Sequence, residues 1–489
     1  MNKLLIVTIP GILLTILIVG FKSLKKEPVA EKPNIVFIIG DDISWNDFGC
    51  YGNPDVQTPN IDQLAANGQM YMNTYLTASS CSPSRTSIIS GRYPHNTQAA
   101  ELHTPLPASL ATFPEVLHQA GYYTAQAGKW HMGDPAKEGF DKIVVDREKN
   151  GDGAEEYWVN LLQERPKDQP FFMWMAAIDA HRIWGPNQFS GTHKPEEITF
   201  IPPFMVDSAN TRKDFAQYYD EVYRFDYYIG EVVKELKAQG VYENTLILVM
   251  ADNGRPFPRC KTRVYDSGMK TPFVIHWPAG IKSKGEVDAL VSVIDIAPTF
   301  LQAAGLKNPE SFQGKSFDKL FNNRKQQFRN YAFSEHNWHD FEALERMVVD
   351  DRYLYVLNER PRLSNEGPAD SNRGLSFLDL LDRRDRGELT FAQTDVFVTP
   401  RPVEELYDRI DDPFQLNNLA STPEKQEVLQ QMRTIMQQWR RETGDYTPDK
   451  LTPDQFERFS GKKKAGEWER GEMPGQKTGA VEIYEGGPF

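Results

Sequence analysis

The sequence predicts an α/β protein, a doubly wound and mainly parallel sheet followed by a smaller C-terminal α+β domain with a short antiparallel sheet. Three observations carry that expectation. Residues 35–39, 171–178 and 245–250 are apolar runs of the kind found in strands buried on both faces. Helical stretches alternate with these runs, as parallel crossovers require. Beyond residue 328 the pattern changes to short alternating segments and one amphipathic helix. At 489 residues, 40% apolar and 25% charged, the chain has the material for two cores.

Residues 4–21 are an uncharged apolar run behind Lys3. With the polar linker to Lys32, residues 1–32 read as a secretory signal or an N-terminal membrane anchor, which places the rest outside the cytoplasm, in the periplasm. The larger domain is expected over 33–328, and the C-terminal subdomain with its tail over 329–489. The formal net charge of −13 argues against nucleic acid as a partner, so an anionic ligand needs a local basic pocket. Membrane contact is expected only through the N-terminal segment.

The strand at 35–39 ends in Gly40-Asp41-Asp42. Thr58-Pro59 opens a helix that Gly68 closes. Pro83 suits the first turn of a helix that continues to Ile89 and stops at Gly91, leaving Cys81 just outside its N-terminus. Unpaired backbone N–H groups there attract anions, and Arg85, one turn on, adds a planar fork of donors. Residues 113–120 read as helix and 122–127 as strand, with Lys129 and His131 directly behind. The strand at 171–178 runs into Asp179-Ala180-His181, and that at 245–250 into Asp252-Asn253-Gly254. Between them, 210–239 is a long amphipathic helix read as scaffold. Residues 273–277 and 290–294 supply further strands and 297–304 a helix. The C-terminal part offers strands at 347–349 and 353–357, a charged insertion over 360–388, a helix from about 423 to 441, and a tail from Gly461 rich in Gly, Lys and Glu.

In doubly wound sheets ligands bind beyond the carboxyl ends of the strands. Separate strands deliver Asp41, Asp42, Lys129, His131, His181, Asp252 and Asn253 to that edge. The Asp and Asn side chains offer only hard oxygen ligands, which suit Ca²⁺ or Mg²⁺. His131 and His181, two of nine histidines, are placed as acid and base. Cys50, Cys81 and Cys260 cannot all pair; Cys50 and Cys260 read as small buried residues, with a disulfide between them as the alternative.

Cys81-Ser82-Pro83-Ser84-Arg85 resembles the C/S-x-P-x-R modification motif of the type I sulfatases. Gly121-Tyr122-Tyr123-Thr124-Ala125-Gln126-Ala127-Gly128-Lys129-Trp130-His131 resembles their second signature along its whole length. Ser90 departs from the usual Thr or Ala, a small-for-small change. The resemblance implies an alkaline phosphatase-like fold and conversion of Cys81 to formylglycine (3-oxoalanine) by a formylglycine-generating or anaerobic sulfatase-maturating enzyme. It also implies one divalent cation, most often Ca²⁺, held by the side chains of Asp41, Asp42, Asp252 and Asn253, with residue 81 as a further ligand. The formylglycine hydrate would attack sulfur and its sulfated form would collapse by C–O cleavage. Arg85 would hold the hydrate, Lys129 and Lys261 would neutralise the sulfuryl oxygens, and Asp252 would share in activating the attacking hydroxyl. His131 would take the proton in the collapse step and His181 would protonate the leaving oxygen. Lys261 matches the family lysine four residues before Tyr265, although Asp266-Ser267 departs from the usual Glu-Gly; a solvated surface lysine is the alternative.

The stretches 333–339, 376–381 and 405–419 resemble the second domain of N-sulfoglucosamine sulfohydrolases and their bacterial relatives. That implies a sulfated sugar at the end of an algal or glycosaminoglycan chain. Glu335, His336 and His339 would then line the sugar pocket or sit at a domain interface, and Trp45, Trp130 and Trp184 would pack on a sugar face or in the core. Alternatives within the scaffold are cleavage of a sulfamate N–S bond and hydrolysis of phosphate or phosphonate monoesters. A non-catalytic glycan-binding protein is disfavoured by the complete set of polar residues.

Overall fold

The computed structural model describes residues 32–489, which form one compact unit. The apolar run at 4–21 lies outside the described residues. Among the described residues no helix is long and apolar enough to cross a membrane.

The first sheet is built from β1 (Asn34–Gly40), β2 (Gln69–Tyr75), β3 (Tyr123–Gly128), β4 (Lys142–Val144), β5 (Phe171–Ala176), β6 (Thr245–Ala251), β7 (Phe273–His276) and β8 (Gly285–Ser292). Its order is β4-β3-β5-β1-β6-β7-β2-β8. Only β7 runs antiparallel to its neighbours β6 and β2. Strand β1 sits at the centre, with Ile38 opposite Met175 of β5 and Val249 of β6. Its side chains alternate between two apolar layers. Ile35, Phe37 and Ile39 join the core that takes in helices Cys81–Ser90, Phe113–Gln119 and Ile296–Ala303. Val36 and Ile38 join the opposite core with helices Pro59–Asn67, Trp158–Glu164 and Ala209–Ala238. Each such side chain stabilises the fold by roughly 2 kcal/mol when fully buried. Because both faces are apolar, the polar carboxyl end of β1 distinguishes one register from another, and that end carries Asp41 and Asp42.

The Cys81–Ser90 helix is buried over its whole length. It begins at Cys81 itself rather than after it, with Ser80 extended before it. Gly91 ends it at φ 62°, where its N–H reaches the carbonyls of Ile88 and Ser87. A Cβ on Gly91 would also press on Phe312 and Ala297, so this stop needs glycine on two counts.

A second sheet of β9 (Ala332–His336), β10 (Glu345–Val349), β11 (Tyr353–Asn358) and β12 (Glu404–Asp408) is antiparallel in the order β12-β11-β10-β9. The Gln426–Thr443 helix covers it with Met432, Met436 and Trp439, the last stacked on Phe333 at 5.0 Å. Strand β5 stops at Ala176, two residues short of the expected run, although Ala177 N still donates to the Ile39 carbonyl at 3.0 Å. Strand β8 starts well before residue 290, its early half carrying exposed Glu286 and Asp288, and Val293–Asp295 is a 3-10 turn. The charged insertion contains a helix, Leu375–Asp385. The tail is seated on the first domain: Arg470 pairs with Glu101, and Arg92 donates to the carbonyls of Val481 and Ile483.

Candidate active site

Asp41 and Asp42 leave β1, Lys129 leaves β3, His181 follows β5, and Asp252 and Asn253 leave β6, so adjacent parallel strands aim at one point. The Cys81 helix enters from one layer and meets them. Ser79 ties its start to the loop after β6, accepting from Thr262 N (3.1 Å to the carbonyl) and from Gly254 N (3.3 Å to Oγ). The Cys81 thiol, 2% exposed, lies 3.6 Å from Asp41 Oδ1 and 3.3 Å from Asn253 Nδ2.

Each buried acid has a buried base. Lys129 Nζ donates to Asp41, Lys261 Nζ to Asp42 Oδ2 at 2.7 Å, and Arg85 Nε to Asp252 Oδ2 at 2.7 Å. Arg85 Nη1 also donates to the Lys129 carbonyl at 3.1 Å, which locks the guanidinium plane. Its Nη2 is buried without a partner, an unspent donor facing into the cluster of charges. Burial pushes Asp42 up to about 7 and Asp252 up to about 6, against the pull of Lys261 and Arg85 respectively. Burial acts on Asp41 too, but Lys129, His181 and Arg85 together hold it well below the usual carboxylate range. Burial raises the Cys81 thiol to about 12, so as a thiol it is protonated and inert at neutral pH.

The two histidines differ. His131, with φ 58°, approaches His103 at 2.6 Å, and burial followed by the Lys129 charge pushes it down to about 2. It is therefore a neutral imidazole with Nδ1 free to act. His181 is more open, and burial with Lys261 lowers it less. Its Nδ1 meets the Arg182 carbonyl, which turns Nε2 towards the charges. Lys129, His131, His181 and Trp184 line a cleft of about 580 Å³ that leads out from the site.

The donor set fits a hard divalent cation. Carboxylate oxygens of Asp41, Asp42 and Asp252 all lie within 4.8 Å of one another, close enough to share one cation. Asn253 Oδ1 is buried with no partner, while its Nδ2 approaches Asp42, Asp252 and Cys81. Turning the amide over, an assignment that rests on the hydrogen-bond network, would make Oδ1 a fourth oxygen at the same point.

The sequence profile described as "Sulfatase" matches residues 33–306. The chain belongs to the sulfatase family. The profile "N-sulphoglucosamine sulphohydrolase, C-terminal" matches residues 260–358. An ulvan-active sulfatase of Formosa agariphila is 30% identical over 471 residues, covering 85% of this chain and 76% of the relative. The N-sulphoglucosamine sulphohydrolase of Homo sapiens is 28% identical over 462 residues, covering 85% and 91%. A solved structure in complex with its substrate D-glucosamine-2-N,6-O-disulfate superposes with a TM-score of 0.65 at 20% identity, covering 84% of this chain and 98% of the other. One in complex with a neocarrahexaose gives 0.63 at 21%, covering 84% and 93%. The fold is thus that of the sulfatases, and the chain is a sulfuric ester hydrolase.

The remaining expected residues of this sulfatase divide. Glu335 is fully buried on β9, where it accepts from His95 Nδ1 and Asn337 Nδ2 at 2.8 Å each and faces Arg346 at 3.8 Å. It presents no atom to a sugar, a correction with a plain cause: β9 is covered on both sides. His336 pairs with Glu345 at 2.8 Å, and the cavity beside it, about 10 Å³, has room for one water and not for a sugar ring. His339 lies at the start of the Cys81 helix, 2.7 Å from Ser80 Oγ. Trp45 packs under Lys270 and Trp130 against Phe140, while Trp184 lines the cleft. The Cys50 and Cys260 thiols are free. One residue of the site was not anticipated. Asp370, from the charged insertion, places Oδ2 3.5 Å from His181 Nε2 and 3.7 Å from Lys261 Nζ.

Proposed function

We propose that this sulfatase hydrolyses sulfate esters of a sulfated polysaccharide, acting at a chain end through a formylglycine formed from Cys81. The observation that carries the reading is the position of Cys81: at a helix start, its sulfur faces a buried ring of acids and bases. A thiol raised to about 12 is a poor nucleophile, and chemistry at this position calls for a different group on the same carbon. Converted to formylglycine by a maturating enzyme, residue 81 would supply a hydrated aldehyde whose oxygen attacks sulfur and whose sulfated form releases sulfate by C–O cleavage. A divalent cation held by Asp41, Asp42, Asp252 and Asn253 beside residue 81, calcium in this reading, would polarise the nucleophile and the sulfate oxygens.

Arg85, fixed by Asp252 and the Lys129 carbonyl, orients the group on residue 81 through its unspent Nη2, and Asp252 shares in drawing a proton from it. Lys129 and Lys261 neutralise the sulfuryl oxygens, whose charge persists through the transfer. His131, whose Nδ1 has no partner among the described residues, accepts the proton released in the collapse step. His181, at the cleft mouth, protonates the leaving sugar oxygen. The cleft, about 580 Å³, has room for a sugar residue. Relatives named for ulvan support an algal glycan, and the match at 260–358 favours a sulfamate as the second reading. The apolar run at 4–21 supports export to the periplasm, with residues 1–32 as leader or anchor.

The test is sulfate release by protein co-expressed with a maturating enzyme, from ulvan oligosaccharides and from glucosamine N-sulfate, with phenyl phosphate as the contrast. Turnover of ulvan oligosaccharides alone supports the first reading, and turnover of the sulfamate alone replaces it with the second. Faster hydrolysis of the phosphate would refute both.

A further inference from the structure

Asp370 puts a carboxylate into a site built for an anion. The segment that bears it is clamped to the loop that bears His181: Arg182 donates to both oxygens of Asp214 (2.9 and 2.7 Å), and Ser376 donates to Asp214 from its backbone and its hydroxyl (3.1 and 2.8 Å). Gly374 lies so close to the Arg182 guanidinium that a Cβ there would meet it at 2.7 Å. The neighbouring turn is held as well, with Ala369 N donating to Asp340 Oδ2 at 3.0 Å. Asp370 is therefore fixed beside His181 by contacts that do not involve its own carboxylate.

The two carboxylate oxygens have different surroundings. Oδ1 is occupied, accepting from Ser371 N at 2.7 Å. Oδ2 accepts no hydrogen bond from the described residues, and its two nearest side-chain nitrogens, His181 Nε2 at 3.5 Å and Lys261 Nζ at 3.7 Å, stand beyond good hydrogen-bond distance. The side chain is 20% exposed. An acceptor with unspent capacity thus lies next to the group that protonates the leaving oxygen, and it is reachable from outside.

We propose that Asp370 Oδ2 is a specificity-determining acceptor that binds a hydroxyl or N–H on the sugar beside the scissile sulfate and repels a second anion there. The argument rests on the sulfated-glycan reading above. A donor on the carbon adjacent to the ester lies within reach of a group that flanks His181, whereas a vicinal sulfate would bring like charge against a carboxylate that has nowhere to move.

The test uses a ratio, kcat/KM for ulvan oligosaccharides over kcat/KM for cyclohexyl sulfate. Both are alkyl sulfates whose alcohol needs a proton on departure, but only the glycan has sugar hydroxyls near the ester. In Asp370→Asn and Asp370→Ala the ratio is expected to fall about 30-fold, as loss of a hydrogen bond to a charged group implies. Persulfated ulvan oligosaccharides should become better substrates relative to wild type. Equal losses on both esters would overturn the proposal, because Asp370 would then act only through His181 or Lys261. No loss on either would overturn it too. A wild type inert towards both esters would instead remove the reading on which the proposal rests, and the proposal with it. Melting temperatures of the variants show that each is folded.

Discussion

Glu335 offers a sharp separation between a structural and a sugar-binding role. Its carboxylate is fully buried, receives His95 Nδ1 and Asn337 Nδ2 at 2.8 Å and the His95 backbone N–H at 3.2 Å, and lies 3.8 Å from Arg346. His95 passes the connection on to Thr443 Oγ1 at 3.0 Å, so Glu335 couples the first sheet's layer to the helix over the second. Burial alone would raise its pKa, but His95 and then Arg346 hold it below the usual value. In Glu335→Gln the volume is kept and the charge is lost. One amide face must set a donor against a donor of Asn337 or His95. Hydrogen bonds to a buried charge contribute about 1.5–3 kcal/mol each, and breaking a buried pair costs about 3–5 kcal/mol, so a loss of about 3 kcal/mol is expected. At about 2 °C per kcal/mol for a large domain, that is roughly 6 °C in Tm. Differential scanning fluorimetry and initial rates at 25 °C read the two effects separately. The expected result is a lowered Tm with KM unchanged; an unchanged Tm with KM raised tenfold would refute the reasoning and return Glu335 to the sugar pocket.

His181→Ala should lower kcat/KM on the oligosaccharide by about 10²–10⁴ and spare an aryl sulfate, whose leaving group needs no proton. Equal losses on the two esters would contradict the acid role. Chelation with EDTA should abolish activity and lower Tm, and Ca²⁺ at a hundredfold its Kd should restore about 2.7 kcal/mol of stability. Asn253→Ala should need more Ca²⁺ for the same rescue. Acid unfolding should follow two buried carboxylates. Despite burial, Arg401 holds Glu345, and Arg346 holds Asp445, below the usual carboxylate range. Since the folded state favours their charged forms, their contribution is complete above about pH 4.5 and is lost as pH falls below about 4. Arg346→Met should flatten that part of a stability-against-pH curve, and an unchanged curve would exclude the pairing.

Much of this was legible in the sequence because the catalytic strands are extreme in composition. Runs such as residues 35–39 and 246–250 carry no polar residue, and the first polar residues after them are those that chemistry requires, so strand ends and site residues announced one another. The edge of the sheet was harder to see. In β2 (Gln69–Tyr75) and β8 (Gly285–Ser292) polar residues interrupt the apolar pattern, and Gln69 is buried through bonds to the distant carbonyls of Ser283 and Leu320. Asp370 left no signal, since it lies in a charged stretch without periodicity and reaches the site only because Asp214, Arg182 and Ser376 pin that stretch down. Glu335 and His336 misled for the opposite reason. A conspicuous acid and histidine on a short strand suggest function, yet all five residues of β9 are buried, Glu335 is spent on partners within the fold, and His336 turns Nδ1 to Glu345 and keeps Nε2 buried.

The account stands or falls on residue 81. Tryptic mass spectrometry of active protein is expected to find the aldehyde at that position, in a fraction that tracks specific activity across preparations matured to different extents, with Cys81→Ala inactive in all of them. A plain thiol at 81 in fully active protein, or turnover by Cys81→Ala, would contradict it.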